Sequence, residues 1–171
     1  ETANPVLVKV LEDTKQEPMV RHEAAEALGA IGSFDVLEVL ERYLNDQVVE
    51  VAETCELAIE RLKWLRSAEE KGNLPENPYH SVDPAPPAPS KSVNELKAVL
   101  LNDNASLFER YRAMFSLRNL RTKEAVEALG VALRSGSALF RHEIAFVLGQ
   151  LQDESAVPYL KESLEDSSEN E

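Results

Sequence analysis

Residues 19–32 have the sequence Met19-Val-Arg-His-Glu-Ala-Ala-Glu-Ala-Leu-Gly-Ala-Ile-Gly32, and residues 139–152 return it as Leu139-Phe-Arg-His-Glu-Ile-Ala-Phe-Val-Leu-Gly-Gln-Leu-Gln152. In each copy the apolar residues recur at intervals of three and four positions, which is the spacing of one face of an α-helix. Gly32 is the last residue of the first copy and is expected to end its helix. The repetition predicts that the chain is built from equivalent helical units.

Weaker copies of this pattern lie between the two strong ones. They are Val49-Glu-Val-Ala-Glu-Thr-Cys-Glu-Leu57 and Leu107-Phe-Glu-Arg-Tyr-Arg-Ala-Met-Phe-Ser-Leu117. The second weak copy precedes the second strong copy by about 31 residues, a period in the range of helical-hairpin arrays. Amphipathic helices are predicted at 20–31, 36–44, 48–64, 93–101, 107–120, 125–133, 139–151 and 156–164. We therefore predict an all-α protein of HEAT-like helical-hairpin repeats, an α-solenoid in which each helix pair buries its apolar face against the next.

A proline-rich segment divides the predicted repeats into two blocks. Residues 67–92 contain six prolines, which are incompatible with a regular helix and favour an extended, semi-stiff chain. The sequence thus predicts a front block at residues 1–66, a linker at residues 67–92 and a back block at residues 93–171.

The composition argues against several classes of function. The net charge is −13 and no basic cluster is present, so binding to nucleic acid is not expected. No apolar run approaches the ~20 residues that span a bilayer, so no membrane association is expected. The single cysteine, Cys55, lies in an apolar helical stretch and is interpreted as a small core residue rather than a nucleophile. These features favour a reducing, cytoplasmic setting.

Two of the three histidines occupy equivalent repeat positions and are followed by glutamate. His22-Glu23 and His142-Glu143 carry imidazole nitrogen and carboxylate oxygen, a donor set that suits iron or manganese. Neither copy has the two histidines per helical turn of a zincin, so a complete site needs several helices. The alternative is that these are ordinary surface polar residues whose ion-pair partners are Arg21 and Arg141. The third histidine, His80, lies in the linker without such a context and is not a predicted ligand.

The two ends of the chain also repeat each other. Glu1-Thr-Ala-Asn-Pro-Val-Leu-Val-Lys-Val-Leu-Glu-Asp13 matches Glu154-Ser-Ala-Val-Pro-Tyr-Leu-Lys-Glu-Ser-Leu-Glu-Asp166. The first copy leads into an Arg-His-Glu helix, whereas the second is followed by the end of the sequence. This internal alignment predicts that the chain is a central piece of a longer duplicated array.

Four stretches together resemble deoxyhypusine hydroxylase, and the resemblance extends over essentially the whole chain. They are the segment from Gln16 to Gly32, Pro78-Tyr-His-Ser-Val-Asp-Pro-Ala-Pro-Pro87, Phe108-Glu-Arg-Tyr-Arg-Ala-Met-Phe115 and Gly136-Ser-Ala-Leu-Phe-Arg-His-Glu143. The resemblance implies an iron-dependent monooxygenase that uses O2 to hydroxylate a deoxyhypusine side chain on a translation factor, forming hypusine. It also implies a di-iron (Fe2+) centre held by four His-Glu pairs, two from each repeat block.

The resemblance assigns roles to residues of this chain. His22, His142 and Glu143 are implied as iron ligands, and Glu23 as either a ligand or the catalytic-site anion that holds the substrate's amine. Met19 is a weaker candidate for lining the pocket. Only two of the four implied pairs are present, so this chain alone is not expected to build the complete centre. Two copies of the chain would carry four pairs, which makes a dimer the alternative.

Two other functions are compatible with helical repeats. A non-catalytic HEAT-repeat scaffold would bind protein through its concave face, and its histidines would be dispensable. A HEAT-repeat lyase of the phycobilin type would share the repeats without paired His-Glu helices. Loss of bound iron on mutation of His22 or His142 distinguishes the hydroxylase from both.

Overall fold

All regular secondary structure in the described residues is helical. A computed structural model describes residues 2–67, 74–89 and 91–169, and within these ranges it has no β-strand. The helices are α1 (Asn4–Glu12), α2 (Pro18–Ile31), α3 (Leu37–Arg42), α4 (Val49–Arg66), α5 (Val93–Leu100), α6 (Leu107–Leu120), α7 (Lys123–Ala132), α8 (Ala138–Leu151) and α9 (Val157–Glu165). Short 3-10 turns, Phe34–Val36 and Glu154–Ala156, precede α3 and α9. The all-α prediction is confirmed.

None of the helices in the described ranges has both the length and the apolar character needed to cross a lipid bilayer.

The chain forms two compact units. The first comprises the described part of Glu1–Gly72 together with Ser81–Pro86, and the second comprises the described part of Asn73–His80 and Pro87–Glu171. Residues of the predicted linker are therefore divided between the two units. The block boundaries given above remain a prediction.

In the first unit, α2 packs between α1 and α4. The core consists of small and aliphatic side chains, among them the fully buried Leu11, Ala25, Leu28, Leu40, Val51 and Leu62. Gly29 permits a close approach of α2 to α4, since a Cβ atom at this position would lie 2.8 Å from the Cβ of Ala58. The helix ends at Gly32, which adopts the left-handed conformation with φ 74° as expected of a helix stop.

In the second unit, helix α6 makes hydrogen bonds to part of the proline-rich segment. The Ala88 backbone N–H donates to the Arg112 carbonyl at 3.2 Å, and the Ser116 hydroxyl donates to the Ala88 carbonyl at 3.3 Å. Arg118, which is fully buried, donates from Nη2 to Asn77 Oδ1 at 3.2 Å. These bonds pair backbone groups and side chains that a free linker would leave to water. Helix α6, which has Tyr111-Arg112 in place of a His-Glu pair, thus binds the part of the linker that belongs to the second unit.

Candidate functional site

Arg21, the arginine of the first Arg-His-Glu triplet, makes hydrogen bonds from α2 to α1 and to the segment that precedes α4. Arg21 donates from Nε to the Leu11 carbonyl at 2.9 Å, near the end of α1, and from both terminal nitrogens to Asp46 at 3.1 and 2.6 Å. In α6, Arg110 makes the equivalent bond from Nε to the Leu100 carbonyl at 2.9 Å. A guanidinium group is suited to this role because its donors lie in a fixed plane. The arginine positions the helix start on the preceding helix.

Arg21 and Arg141 form ion pairs with carboxylates outside the two His-Glu pairs. The guanidinium bonds hold the pKa of Asp46 below its usual range. Arg141 likewise donates from Nε to the carboxylate of Glu169, at 2.8 and 3.0 Å. These bonds of the two arginines run to Asp46 and Glu169, so they do not test whether the His-Glu pairs are ordinary surface polar residues.

His22 is a buried histidine, with 4% of its surface exposed. Its Nδ1 lies 2.6 Å from the hydroxyl oxygen of Thr54 on α4. That hydroxyl donates its own hydrogen to the Glu50 carbonyl at 2.7 Å, and a carbonyl can only accept. Both contacts of the Thr54 hydroxyl can be hydrogen bonds at once only if Thr54 accepts from His22, in which case Nδ1 carries a hydrogen.

The other ring nitrogen, Nε2, faces carboxylates of its own helix. It lies 3.9 Å from Glu23 Oε1 and 3.8 Å from Glu26 Oε2. Both separations exceed hydrogen-bond length, and both are short enough for a cation at Nε2 to be stabilised by the two carboxylates. The Glu23 side chain is 71% exposed, whereas that of Glu26 is 36% exposed. Glu23 can thus reach a ligand in solvent while Glu26 stays close to the imidazole.

The surroundings of His22 are rich in negative charge. Burial raises the pKa of Glu26, and the carboxylates of Glu23 and Asp83 raise it further. Asp83 belongs to the linker segment that is part of the first unit, and it accepts from the Ser81 hydroxyl at 2.7 Å. Accumulated carboxylates raise the local affinity for a cation, either a metal ion or an amine.

The second pair differs from the first. His142 is exposed on α8, and the following residue, Glu143, is buried with 9% exposure. Within the described residues, α8 packs against α6 and α7. The equivalence of the two pairs in sequence therefore does not extend to their surroundings.

The donor atoms of the first unit fit a metal ion in type. His22 offers the ring nitrogen Nε2, while its other nitrogen, Nδ1, contacts the Thr54 hydroxyl. Glu23 and Glu26 offer carboxylate oxygens, and iron binds both kinds of donor. Among the described residues, no cluster of three or more His, Cys, Asp or Glu side chains converges as in a complete metal site. Within the described residues, neither pair therefore forms a complete metal site by itself.

The remaining sequence candidates have simpler environments. Cys55 is fully buried, and burial raises the pKa of its thiol to about 12, so its interpretation as a core residue is confirmed. His80 has a positive φ of 52° and its backbone N–H donates to the Asn77 carbonyl at 3.4 Å, as in a turn. Met19 is 45% exposed in the first turn of α2. Thr54, Glu26 and Asp83 were not singled out as site residues from the sequence, since their roles depend on packing between segments.

Comparisons with known proteins agree with the predicted repeats and with the resemblance. A family model of HEAT repeats matches residues 1–60 and 93–171. Deoxyhypusine hydroxylase of Drosophila pseudoobscura pseudoobscura is 61% identical over 171 residues, covering 99% of this chain and 56% of that protein. The Drosophila melanogaster protein of the same name is 62% identical over 167 residues, covering 97% of this chain and 55% of the relative.

A solved structure gives the same result. The structure of human deoxyhypusine hydroxylase in complex with glycerol matches with a TM-score of 0.92 and 57% identity, covering 99% of this chain and 58% of that one. The chain thus spans somewhat more than half the length of the curated relatives it matches, and its predicted resemblance to deoxyhypusine hydroxylase is confirmed. Because the family model matches most of its residues, the chain belongs to the HEAT repeat family.

Proposed function

We propose that this chain provides two of the His-Glu pairs of a deoxyhypusine hydroxylase, which hydroxylates the deoxyhypusine side chain of a translation factor to form hypusine. The observation that carries the proposal is 61% identity to a deoxyhypusine hydroxylase along 99% of the chain. The setting of His22 adds support, because a metal-binding histidine usually makes a hydrogen bond through its other ring nitrogen, as Nδ1 can with Thr54. We place the activity in the cytoplasm and expect no nucleic-acid partner.

The iron ligands we propose are His22 and Glu23 in the first unit and His142 and Glu143 in the second. Bound as a di-iron (Fe2+) centre, the metal would supply the activation of O2 that side chains alone cannot perform. The contribution of His22 is a nitrogen held at a fixed place by Thr54, at 2.6 Å from Nδ1. The contribution of the glutamates is negative charge that balances the metal.

The carboxylates around His22 also suit the substrate. A deoxyhypusine side chain carries a primary and a secondary amine, which are cations at neutral pH. A carboxylate that does not bind metal can accept charge-assisted hydrogen bonds from such an amine. Glu23 is the best placed for this second role, because its side chain is 71% exposed. We propose that Glu23 serves either the metal or the amine.

A chimera tests the proposal without depending on the length of the chain. The aligned segment of the Drosophila pseudoobscura pseudoobscura hydroxylase would be replaced by these 171 residues, and the product incubated with a deoxyhypusine-bearing translation factor, Fe2+, a reductant and O2. We expect hydroxylation, seen by mass spectrometry as the gain of one oxygen atom per substrate. We expect His22→Ala and His142→Ala to abolish it.

The control is His80→Asn, which removes the third histidine but suits a positive φ. It should leave hydroxylation intact. A chimera that is folded by circular dichroism yet inactive would refute the proposal, and would favour a HEAT-repeat scaffold instead. The molecular mass of the 171-residue chain should be measured in parallel. Turnover by a dimer of the chain alone would show that two copies complete the set of four pairs.

A further inference from the structure

We propose that Thr54 is a positioning residue that fixes His22 in the Nδ1–H tautomer, so that in the neutral ring Nε2 carries the lone pair that would bind metal. The statement about the tautomer rests on the hydrogen bonds alone. Its consequence for iron rests on the proposed function.

Only one arrangement of hydrogens makes both contacts of the Thr54 hydroxyl hydrogen bonds. A threonine hydroxyl has a single hydrogen, which lies on the 2.7 Å contact with the Glu50 carbonyl. The 2.6 Å contact with His22 must then use a hydroxyl lone pair and a ring N–H. This holds whether or not Nε2 is also protonated, because in both cases the hydrogen on Nδ1 faces Thr54.

Helix α4 sets the direction of the hydroxyl. Glu50 lies four residues before Thr54, and a β-branched threonine in a helix bonds this carbonyl in one of its two common rotamers. Thr54 is 3% exposed and His22 is 4% exposed, so both groups lie away from solvent. A buried N–H that lost this acceptor would be left unsatisfied, which disfavours the rotamer or the tautomer that presents it.

The packing of α2 on α4 keeps the two side chains together. Gly29 lies seven residues after His22, and a Cβ at Gly29 would come within 2.8 Å of Ala58 Cβ, which lies four residues after Thr54. The same pair of helices is therefore held at close range by a second contact further along. Thr54 is consequently presented to His22 by a rigid surface rather than by a loop.

The test begins with the metal-free 171-residue chain. Long-range 1H–15N correlation spectra distinguish a protonated from an unprotonated ring nitrogen, and His22→Gln identifies the His22 signals among the three histidines. At a pH where the ring is neutral, we expect Nδ1–H in the wild type and in Thr54→Ser. In Thr54→Val we expect a mixture or the Nε2–H form. Ser116→Ala, which removes another buried hydroxyl bond in the second unit, should leave the His22 spectrum unchanged.

Iron binding is then measured in the chimera by titration with Fe2+. Loss of a partner that orients a metal-binding histidine typically weakens affinity by about 10–100-fold, and we expect this for Thr54→Val. Thr54→Ser should retain the wild-type affinity. Affinity that is unchanged in Thr54→Val would overturn the positioning role.

The two proposals fail in different ways. A wild-type chain with His22 as the Nε2–H tautomer, or a tautomer unaffected by Thr54→Val, would overturn the inference without bearing on hydroxylation. A folded but inactive chimera that keeps the Nδ1–H form would refute the proposed function and leave the tautomer assignment standing.

Discussion

Replacing Arg21 by methionine should destabilise the first unit without changing any proposed ligand. Arg21 is 3% exposed and makes three hydrogen bonds, to the Leu11 carbonyl and to both oxygens of Asp46. Methionine keeps most of the aliphatic volume but removes the charge and every donor. The variant therefore isolates the structural role that the hydrogen bonds assign to this residue.

The size of the destabilisation by Arg21→Met follows from the carboxylate of Asp46, which remains buried without its partner. Removing one member of a buried ion pair typically costs about 3–5 kcal/mol, because the other charge remains buried and uncompensated. The Asp46 side chain is 9% exposed and keeps a bond from the Val48 backbone N–H at 2.9 Å. The remaining bond favours the low end of that range, so we expect a loss of about 3 kcal/mol in the free energy of unfolding. If the free energy of unfolding falls by about 2 kcal/mol for each molar of urea, the urea midpoint of unfolding should fall by about 1.5 M.

The assay uses the single tryptophan of the chain. Trp64 lies in α4, so its fluorescence reports urea unfolding of the first unit. Arg42→Met is the matched control: its bond to Glu12 is exposed at both ends, 62% and 39%, and its loss should cost less than about 1 kcal/mol. A similar midpoint for both variants would refute the reasoning that the Arg21 bonds hold α2 in place.

Three further predictions concern the same unit and its neighbour. The loss of unfolding free energy caused by Arg21→Met should shrink in urea titrations as the pH falls below about 4. The pKa of Asp46 is lowered in the folded chain, so the ion pair stabilises the fold above the ordinary carboxyl pKa and this stabilisation is lost when Asp46 is protonated. A loss that is independent of pH would contradict this. Cys55 should react with a thiol reagent only after unfolding, since burial raises its pKa to about 12, and rapid labelling of the native chain would contradict that placement. Gly29→Ala should destabilise the first unit by about 1–3 kcal/mol through steric overlap with Ala58, as measured by Trp64 fluorescence during unfolding. Gly149→Ala in α8 should instead stabilise by about 0.4–1 kcal/mol, measured by thermal unfolding with circular dichroism, because a Cβ at this position meets nothing within 4 Å. Equal effects of the two substitutions would refute the contact geometry.

Most of the fold was predictable because it depends on local patterns. The predicted helix at 107–120 has the observed bounds, and the others differ by a few residues at their ends. The regions predicted as helix at 36–44 and 156–164 each start on the last residue of a 3-10 turn, Phe34–Val36 and Glu154–Ala156. The apolar spacing that marks a helix does not distinguish its first turn from a tighter one.

The candidate site was predictable only in part. The repeated His-Glu pairs are visible in the sequence, but the burial of His22 depends on the packing of α2 against α4. Thr54 lies 32 positions from His22, and nothing in the spacing marks it as the partner of Nδ1. The packing of Ala85 and Ala88, both buried within a segment predicted to be a linker, likewise depends on tertiary contacts.

The iron content of the chimera tests the central claim most directly. After loading with Fe2+ and removal of excess metal, iron per chain would be measured by plasma mass spectrometry for the unsubstituted chimera, His22→Ala, His142→Ala and His80→Asn. We predict that the unsubstituted chimera and His80→Asn hold the full complement of a di-iron centre, and that each of the other two variants loses iron. Equal iron in all four proteins would contradict the assignment of His22 and His142 as ligands.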